Sequence, residues 1–194
     1  HPCSVVGLIG LMDAAGVTGG VLVQPMGVYR YDNSYAADSA ADHADRLGAA
    51  AIVDMTKSDR MERLAYWTQE RRMGGVRLFD IPLADPSWLD SPALDDVLAF
   101  CSRSHVRVSV ATMPGHLDGI ARVLRAHPDL VVVVDHCGFV DLHGRPPYAG
   151  TAALRSLAEL PNLVLKVTCH VLAEPDEPRE LVEHLAALVG PQRL

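Results

Sequence analysis

The sequence predicts an α/β protein built on a parallel sheet, and three observations carry that prediction. Short β-rich runs recur with starts roughly 25 to 32 residues apart. Helical stretches separate them. Nearly every run ends in a polar or reactive residue, the end at which parallel α/β folds build their sites.

Taken in order, an apolar stretch at Val6–Ala15 predicts a first helix, and Val21–Pro25 (VLVQP) is a strand that stops at Gln24 and Pro25. Tyr35–Leu47 reads as a helix, Ala50–Asp54 (AAIVD) as a strand ending at Asp54, and Asp59–Arg72 as the next helix. Gly75–Asp80 (GVRLFD) follows as a strand with Arg77 and Asp80. The helix Ser91–Ser102 opens with Ser91 as its cap and Pro92 at its first position, where a missing N–H costs nothing. Val106–Ala111 (VRVSVA) is a strand containing Ser109, and His116–Ala126 a helix. Val131–His136 is the most informative strand, because four valines run straight into Asp135, His136, Cys137 and Gly138. An unbroken valine run fits a strand covered on both faces, so a buried strand ends there in chemistry. Thr151–Leu160, the strand Leu163–Thr168 (LVLKVT) with Lys166 and Thr168, and the helix Glu177–Val189 complete the series.

Strands alternating with helices at one period require right-handed crossovers, which make the sheet parallel and either open or closed. The period alone does not decide between the two. Polar residues at many strand ends favour a (β/α)8 barrel, since an open sheet gathers its site at one switch point. A full barrel needs eight strands and typically about 250 residues, whereas these 194 residues supply six. The expected architecture is therefore an incomplete barrel, lacking its first and last strands, in a single domain over residues 1–194.

At 49% apolar and 21% charged residues, the composition is that of a globular protein with one sizeable core. Seventeen basic against 24 acidic residues give a net charge of -7, with no basic cluster denser than Arg71-Arg72, so nucleic acid is not an expected partner. No apolar run reaches membrane-spanning length and the first residues carry no basic leader, so a cytoplasmic protein without a membrane partner is expected. Cys3, Cys101, Cys137 and Cys169 are far apart with no CxxC, as reduced thiols are. No GxGxxG follows a strand, which disfavours a dinucleotide binder.

The ordered motifs MDAAGV (Met12–Val17), VLVQP, YDNSY (Tyr31–Tyr35), GVRLF (Gly75–Phe79), VVVVDHCG, PNLVLKV (Pro161–Val167) and GPQRL resemble the amidohydrolase-related family, in the branch of 2-pyrone-4,6-dicarboxylate lactonases and aminocarboxymuconate-semialdehyde decarboxylases. The resemblance covers essentially the whole chain. It implies a (β/α)8 barrel of the metal-dependent hydrolase type that hydrolyses lactones or amides or decarboxylates. It implies one divalent metal, zinc or manganese, or none in a lactonase-like enzyme. His136 matches the histidine of the D-H-x-G motif, at the metal or at the reacting carbonyl. Arg77 matches the arginine of G-V-R, which in the lactonase branch faces an anionic substrate, and Lys166 and Gln24 match recurrent polar positions. The H-x-H pair and the G-S-D aspartate of the family have no match in residues 1–194, so the chain on its own is expected to be catalytically weak. Arg107 and Ser109 stand where metal-dependent members carry a ligand, which favours the lactonase-like branch.

Lactone hydrolysis needs a polarised carbonyl, a deprotonated water and a clamp for substrate charge. A histidine suits the first task and an arginine the last. The expected site thus has His136 as catalytic residue and metal-ligand candidate, with Arg77, Gln24, Lys166 and Arg107 binding a small carboxylated lactone or related cyclic ester or amide. A decarboxylase of the same family and a non-catalytic α/β domain are the alternatives. Each residue also has a structural reading. His136 could be a satisfied core histidine, Arg77 could pair with Asp80, Lys166 could pair with a barrel-lumen acid, and Gln24 could only end its strand. A Cys/His metal site from Cys137, Cys169, His136 and His170 competes with inert buried thiols. The loop Phe139–Gly150 could carry His143 or Arg145 over the site, or be a connection. Unpaired edges at Val21–Gln24 and Leu163–Thr168 would favour a homo-oligomer.

Overall fold

The computed structural model describes residues 4–79 and 91–194, so the predicted strand end Asp80 lies outside the described residues. Two compact units divide the chain, residues 1–77 and 78–194, with the division inside one strand.

In the first unit, α1 (Val5–Ala14) starts at Ser4, whose hydroxyl accepts the Gly7 N–H. It is apolar around its circumference, yet Met12 is its only buried residue and Val6 is 74% exposed. β1 (Gly20–Val23), α2 (Met26–Tyr29), α3 (Ser34–Asp42), β2 (Leu47–Ile52), α4 (Arg60–Ala65) and β3 (Gly75–Phe79) follow. β1 pairs in parallel with β2, Val23 opposite Ala50, and β2 with β3, Ile52 opposite Arg77. β2 begins three residues before the predicted Ala50 because α3 stops at Asp42 and Arg46 turns back on the start of β1. Its guanidinium donates to the Thr18 and Val17 carbonyls at 2.7 and 2.8 Å and meets Asp13 at 3.0 Å. Small side chains let β2 be buried on both faces, with Ala51 and Ile52 2% exposed or less.

The helix expected at Asp59–Arg72 changes pitch. After α4 the chain forms a π-helical turn, Tyr66–Glu70, in which the Arg71 N–H reaches back five residues to Tyr66 O. The Thr68 hydroxyl donates to Leu64 O at 2.7 Å, which competes with the backbone for that acceptor.

The second unit contains α5 (Pro92–Arg103), β4 (Arg107–Ala111), α6 (Leu117–Ala126), β5 (Val132–Asp135), α7 (Thr151–Ala158), β6 (Leu163–Lys166), α8 (Cys169–Leu172) and α9 (Pro178–Val189). β4, β5 and β6 are parallel in that order, with Val110 opposite Val134 and Asp135 opposite Lys166. Ser91 caps α5 by accepting the Ala93 N–H, and Pro92 follows it as predicted. Strand alternation then sorts the side chains. Val108, Val110, Val132, Val134, Leu163 and Leu165, all 2% exposed or less, fill one face together with Leu98, Ile120, Leu124 and Leu157. Packing there leaves a void of only about 10 Å³. Ser109, Asp135 and Lys166 occupy the opposite face, and that division positions the site. Among the described residues no helix is long and apolar enough to cross a membrane.

Candidate active site at the ends of β5 and β6

Asp135, the last residue of β5, is fully buried, and an isolated carboxylate there would be strongly disfavoured. Its Oδ1 accepts the Ser109 hydroxyl at 2.9 Å and lies 3.1 Å from Lys166 Nζ. The lysine side chain keeps 36% of its surface exposed, so the pair is buried at one end and wet at the other. This is the barrel-lumen pairing weighed for Lys166 from sequence. It holds the ammonium at a defined point on the residue that directly precedes His136.

From His136 the backbone turns left-handed for four residues: His136 (φ 53°), Cys137 (51°), Gly138 (69°) and Phe139 (51°). Only glycine adopts this region freely. Each of the other three residues costs on the order of 1 kcal/mol or more, and such strain persists where the surrounding structure over-determines it, often at functional sites. Gly138 is favoured by its φ of 69°, and a Cβ there would lie 2.9 Å from Leu117 Cδ2, which would have to move aside. The turn brings the His136 ring against Phe139, centroids 4.8 Å apart, with His170 at 6.4 Å. His136 Nδ1 lies 2.9 Å from Thr168 Oγ1, and the same oxygen accepts the Val171 N–H at 3.5 Å to cap α8.

Cys137 is buried, and burial, with the charge of Glu174 in addition, pushes its thiol up to about 12. Cys101 is likewise buried and pushed up to about 12, while Cys169 is exposed. The two buried thiols, Cys101 and Cys137, are inert in the folded protein, which favours the structural reading of Cys137.

The loop Phe139–Gly150 is tied down. Val140, Leu142 and Tyr148 are buried, and the loop joins the segment after α8 through a bridge between Gly144 and Pro175 and an Asp176 N–H bond to Gly144 O at 2.9 Å. His143 stays exposed, bonded to Asp141 at 3.0 Å, and these contacts hold the Asp141 carboxyl below its ordinary range. Arg145 lies 3.6 Å from Asp176 and is 61% exposed.

In the first unit, Gln24 is 1% exposed and its Nε2 donates to Arg30 O at 3.2 Å and Asp32 O at 2.6 Å, so it ends β1 and pins the following loop. Asn33 continues that function, donating to Ile52 O and accepting the Ile52 N–H. Arg77 is half-buried at the centre of β3. Arg107 is not brought to the strand ends: it opens β4, exposed, two residues before Ser109 at the other end of the sheet.

Sequence reasoning missed Thr168 as the partner of His136. Its signal was present, since Thr168 follows β6 by two residues and starts a helical turn.

Among the described residues no three His, Cys, Asp or Glu side chains come together to hold a metal ion. His136 has one nitrogen engaged by Thr168, Asp135 is committed to Lys166 and Ser109, and Cys137 is protonated. These residues alone do not make up a metal site, and no step below is routed through one.

A family model described as Amidohydrolase matches residues 2–194. The chain belongs to the amidohydrolase family. Among curated proteins it is 25% identical over 158 residues to an L-fucono-1,5-lactonase of Burkholderia ambifaria, covering 81% of this chain and 54% of that one. This amidohydrolase chain thus spans about half the length of the curated relative it matches. Among solved structures it resembles an amidohydrolase from Burkholderia multivorans with bound zinc, at TM-score 0.76 and 22% identity over 97% of this chain and 70% of that one. It also resembles a probable 2-pyrone-4,6-dicarboxylic acid hydrolase from Acinetobacter baumannii with citric acid bound, at 0.68 and 23% over 86% and 60%. A TIM-barrel protein of Bordetella bronchiseptica matches at 0.72 and 19% over 96% and 66%. The fold is therefore the (β/α)8 barrel of the amidohydrolases, of which the described residues carry six strands.

Proposed function

We propose that the amidohydrolase containing these residues opens a small carboxylated lactone or related cyclic ester or amide, with His136 at the reacting carbonyl. The observation that carries the proposal is the placement of His136: a strained left-handed turn at the end of β5, one ring nitrogen engaged by Thr168, directly after the Asp135 that holds the half-exposed Lys166 ammonium. Such over-determination fits a group that must meet a substrate in one orientation. The likeness to a lactonase supports the same reading.

Thr168 holds the ring through Nδ1, and the reading puts the substrate at Nε2. In the tautomer with the proton on Nε2, it donates to the carbonyl oxygen and stabilises the charge that develops as water adds, a type of contribution worth about 10²–10³ in rate. Lys166, anchored by Asp135, offers a positive charge to a substrate carboxylate. The family resemblance implies a divalent metal, zinc or manganese, and His136 is the residue here that matches a ligand position. A cytoplasmic location fits the scattered cysteines, which form no CxxC.

The test is hydrolysis of 2-pyrone-4,6-dicarboxylate and L-fucono-1,5-lactone by the natural gene product. His136→Ala should lower kcat/KM by about 10²-fold or more, and Lys166→Met should act chiefly through KM. Absence of hydrolysis across a panel of carboxylated lactones, or full activity of His136→Ala, would overturn the proposal.

A further inference from the structure

Opening a lactone or cyclic amide with water leaves one task unassigned above: the water must lose a proton as it adds to the carbonyl. The groups next to His136 in the chain are already committed. Asp135 holds Ser109 and Lys166, and the Cys137 thiol stays protonated. His143, on the loop that follows, is engaged by Asp141 at 3.0 Å. His170 is placed differently.

Its position follows from the way β6 ends. Thr168 continues the chain in extended conformation (φ -127°, ψ 165°) and caps the single turn α8 with the same oxygen that lies 2.9 Å from His136 Nδ1. The two imidazole rings stand 6.4 Å apart, centroid to centroid, and nearly perpendicular at 80°. Phe139 closes a third side, 4.8 Å from His136 and 6.4 Å from His170. At this spacing no nitrogen of one imidazole comes within hydrogen-bond reach of the other ring, so a group bonded to both must lie between them.

Behind His170 stands Glu174, four residues on, with Oε1 3.8 Å from His170 Nε2. Its other oxygen lies 3.9 Å from His143 Nδ1, so the carboxylate is shared between α8 and the loop after β5. An ion pair with an exposed partner adds little to stability. Its chemical effect is larger, because a carboxylate behind an imidazole orients the ring and stabilises the cation formed when that ring takes a proton. The His170 side chain keeps 65% of its surface exposed, so water reaches it, whereas Glu174 is 17% exposed.

We propose that His170, backed by Glu174, is the general base that activates the attacking water opposite His136, an assignment that rests on the lactone-opening reading above. As the water oxygen bonds to the carbonyl carbon, one of its protons passes to a His170 ring nitrogen. The C=O π pair moves onto the oxygen, to which His136 donates. When the carbonyl re-forms and the ring C–O bond breaks, the His170 imidazolium returns that proton to the departing oxygen, or to nitrogen in a cyclic amide. The product is a hydroxy acid or amino acid, and water is the only co-reactant.

The natural gene product, assayed on the two lactones named above, tests this. His170→Ala should lower kcat by about 10²-fold, the scale of one general base, with KM changed little. Its melting curve should match that of the parent, because the side chain is exposed. For the same reason the gap is open to a free base, so added imidazole should restore a saturable part of kcat in His170→Ala and leave the parent unaffected. Glu174→Gln should lower kcat less and show no response to imidazole, since the base itself is still present. Unchanged kcat in His170→Ala beside a loss in His136→Ala, or a loss in His170→Ala that imidazole does not restore, would overturn the assignment and leave the lactone-opening reading standing. Absence of hydrolysis by the parent would overturn both.

Discussion

Thr168 Oγ1 lies 2.9 Å from His136 Nδ1 and at the same time caps α8, so one hydroxyl couples the histidine after β5 to the helix after β6. Thr168→Val should release the ring and uncap the helix, at a cost of about 1 kcal/mol. Thr168→Ser should restore both. Imidazole nitrogen shifts of His136 report the coupling directly: unchanged shifts in Thr168→Val would show that the threonine only caps the helix.

The Lys166–Asp135 pair predicts asymmetric mutational costs. Lys166→Met leaves a fully buried carboxylate without its ammonium partner and should destabilise by about 2–4 kcal/mol, somewhat below a wholly buried pair because the lysine is 36% exposed. Asp135→Asn combined with Lys166→Met removes both charges and should recover most of that loss. Denaturant midpoints of the three proteins decide it, and a double variant no more stable than Lys166→Met would contradict the account.

Two buried thiols predict a loss of stability at high pH. Cys101 and Cys137 are pushed from the ordinary 9.0 up to about 12 in the folded protein. Below pH 9 both states keep these protons. Between pH 9 and about 12 the unfolded chain releases them while the folded one does not, so stability should fall by about 1.4 kcal/mol per pH unit for each thiol. Cys137→Ala should lose close to half of the thiol-dependent slope in unfolding curves taken from pH 8.5 to 11.

Gly150 should tolerate no side chain although its φ of -72° is ordinary. A Cβ there would stand 2.5 Å from the Asp141 backbone nitrogen and oxygen. Gly150→Ala should therefore lower Tm by about 5 °C or more, whereas Gly144→Ala, with open space around it but φ of 78°, should cost only about 1 kcal/mol. Equal melting of the two variants would show that the loop yields freely at Gly150.

β1 pairs with β2 alone among the described residues, and Val21 on it is 66% exposed. An uncovered strand edge beside apolar side chains invites pairing with another molecule. Sedimentation of residues 1–194 over a concentration series should show self-association, reduced by Val21→Lys. A strictly monomeric species at high concentration would mean that the edge is protected.

All six strands and the long helices were legible because alternation and helical periodicity are local consequences of burying one face. The four valines before Asp135 and the Ser91-Pro92 start of α5 are examples. The departures are places where a contact distant in sequence overrides local preference. Arg46 ends the stretch after α3 by bonding back to Val17 and Thr18, and Thr68 diverts α4 into a π-helical turn.

For the site, sequence alone determined the kind of residue at each strand end: a histidine after β5, a lysine at the end of β6 and a glutamine after β1. Tertiary structure decided what each one does. It committed Lys166 to Asp135, tied His136 to Thr168, spent Gln24 on the carbonyls of its own loop and left Arg107 at the far end of β4. The physical reason is that strand period sets the face on which a side chain emerges, whereas hydrogen-bond partners depend on register and on turn geometry between strands. Neither the Asp135–Lys166 register nor the left-handed turn at His136 follows from the period.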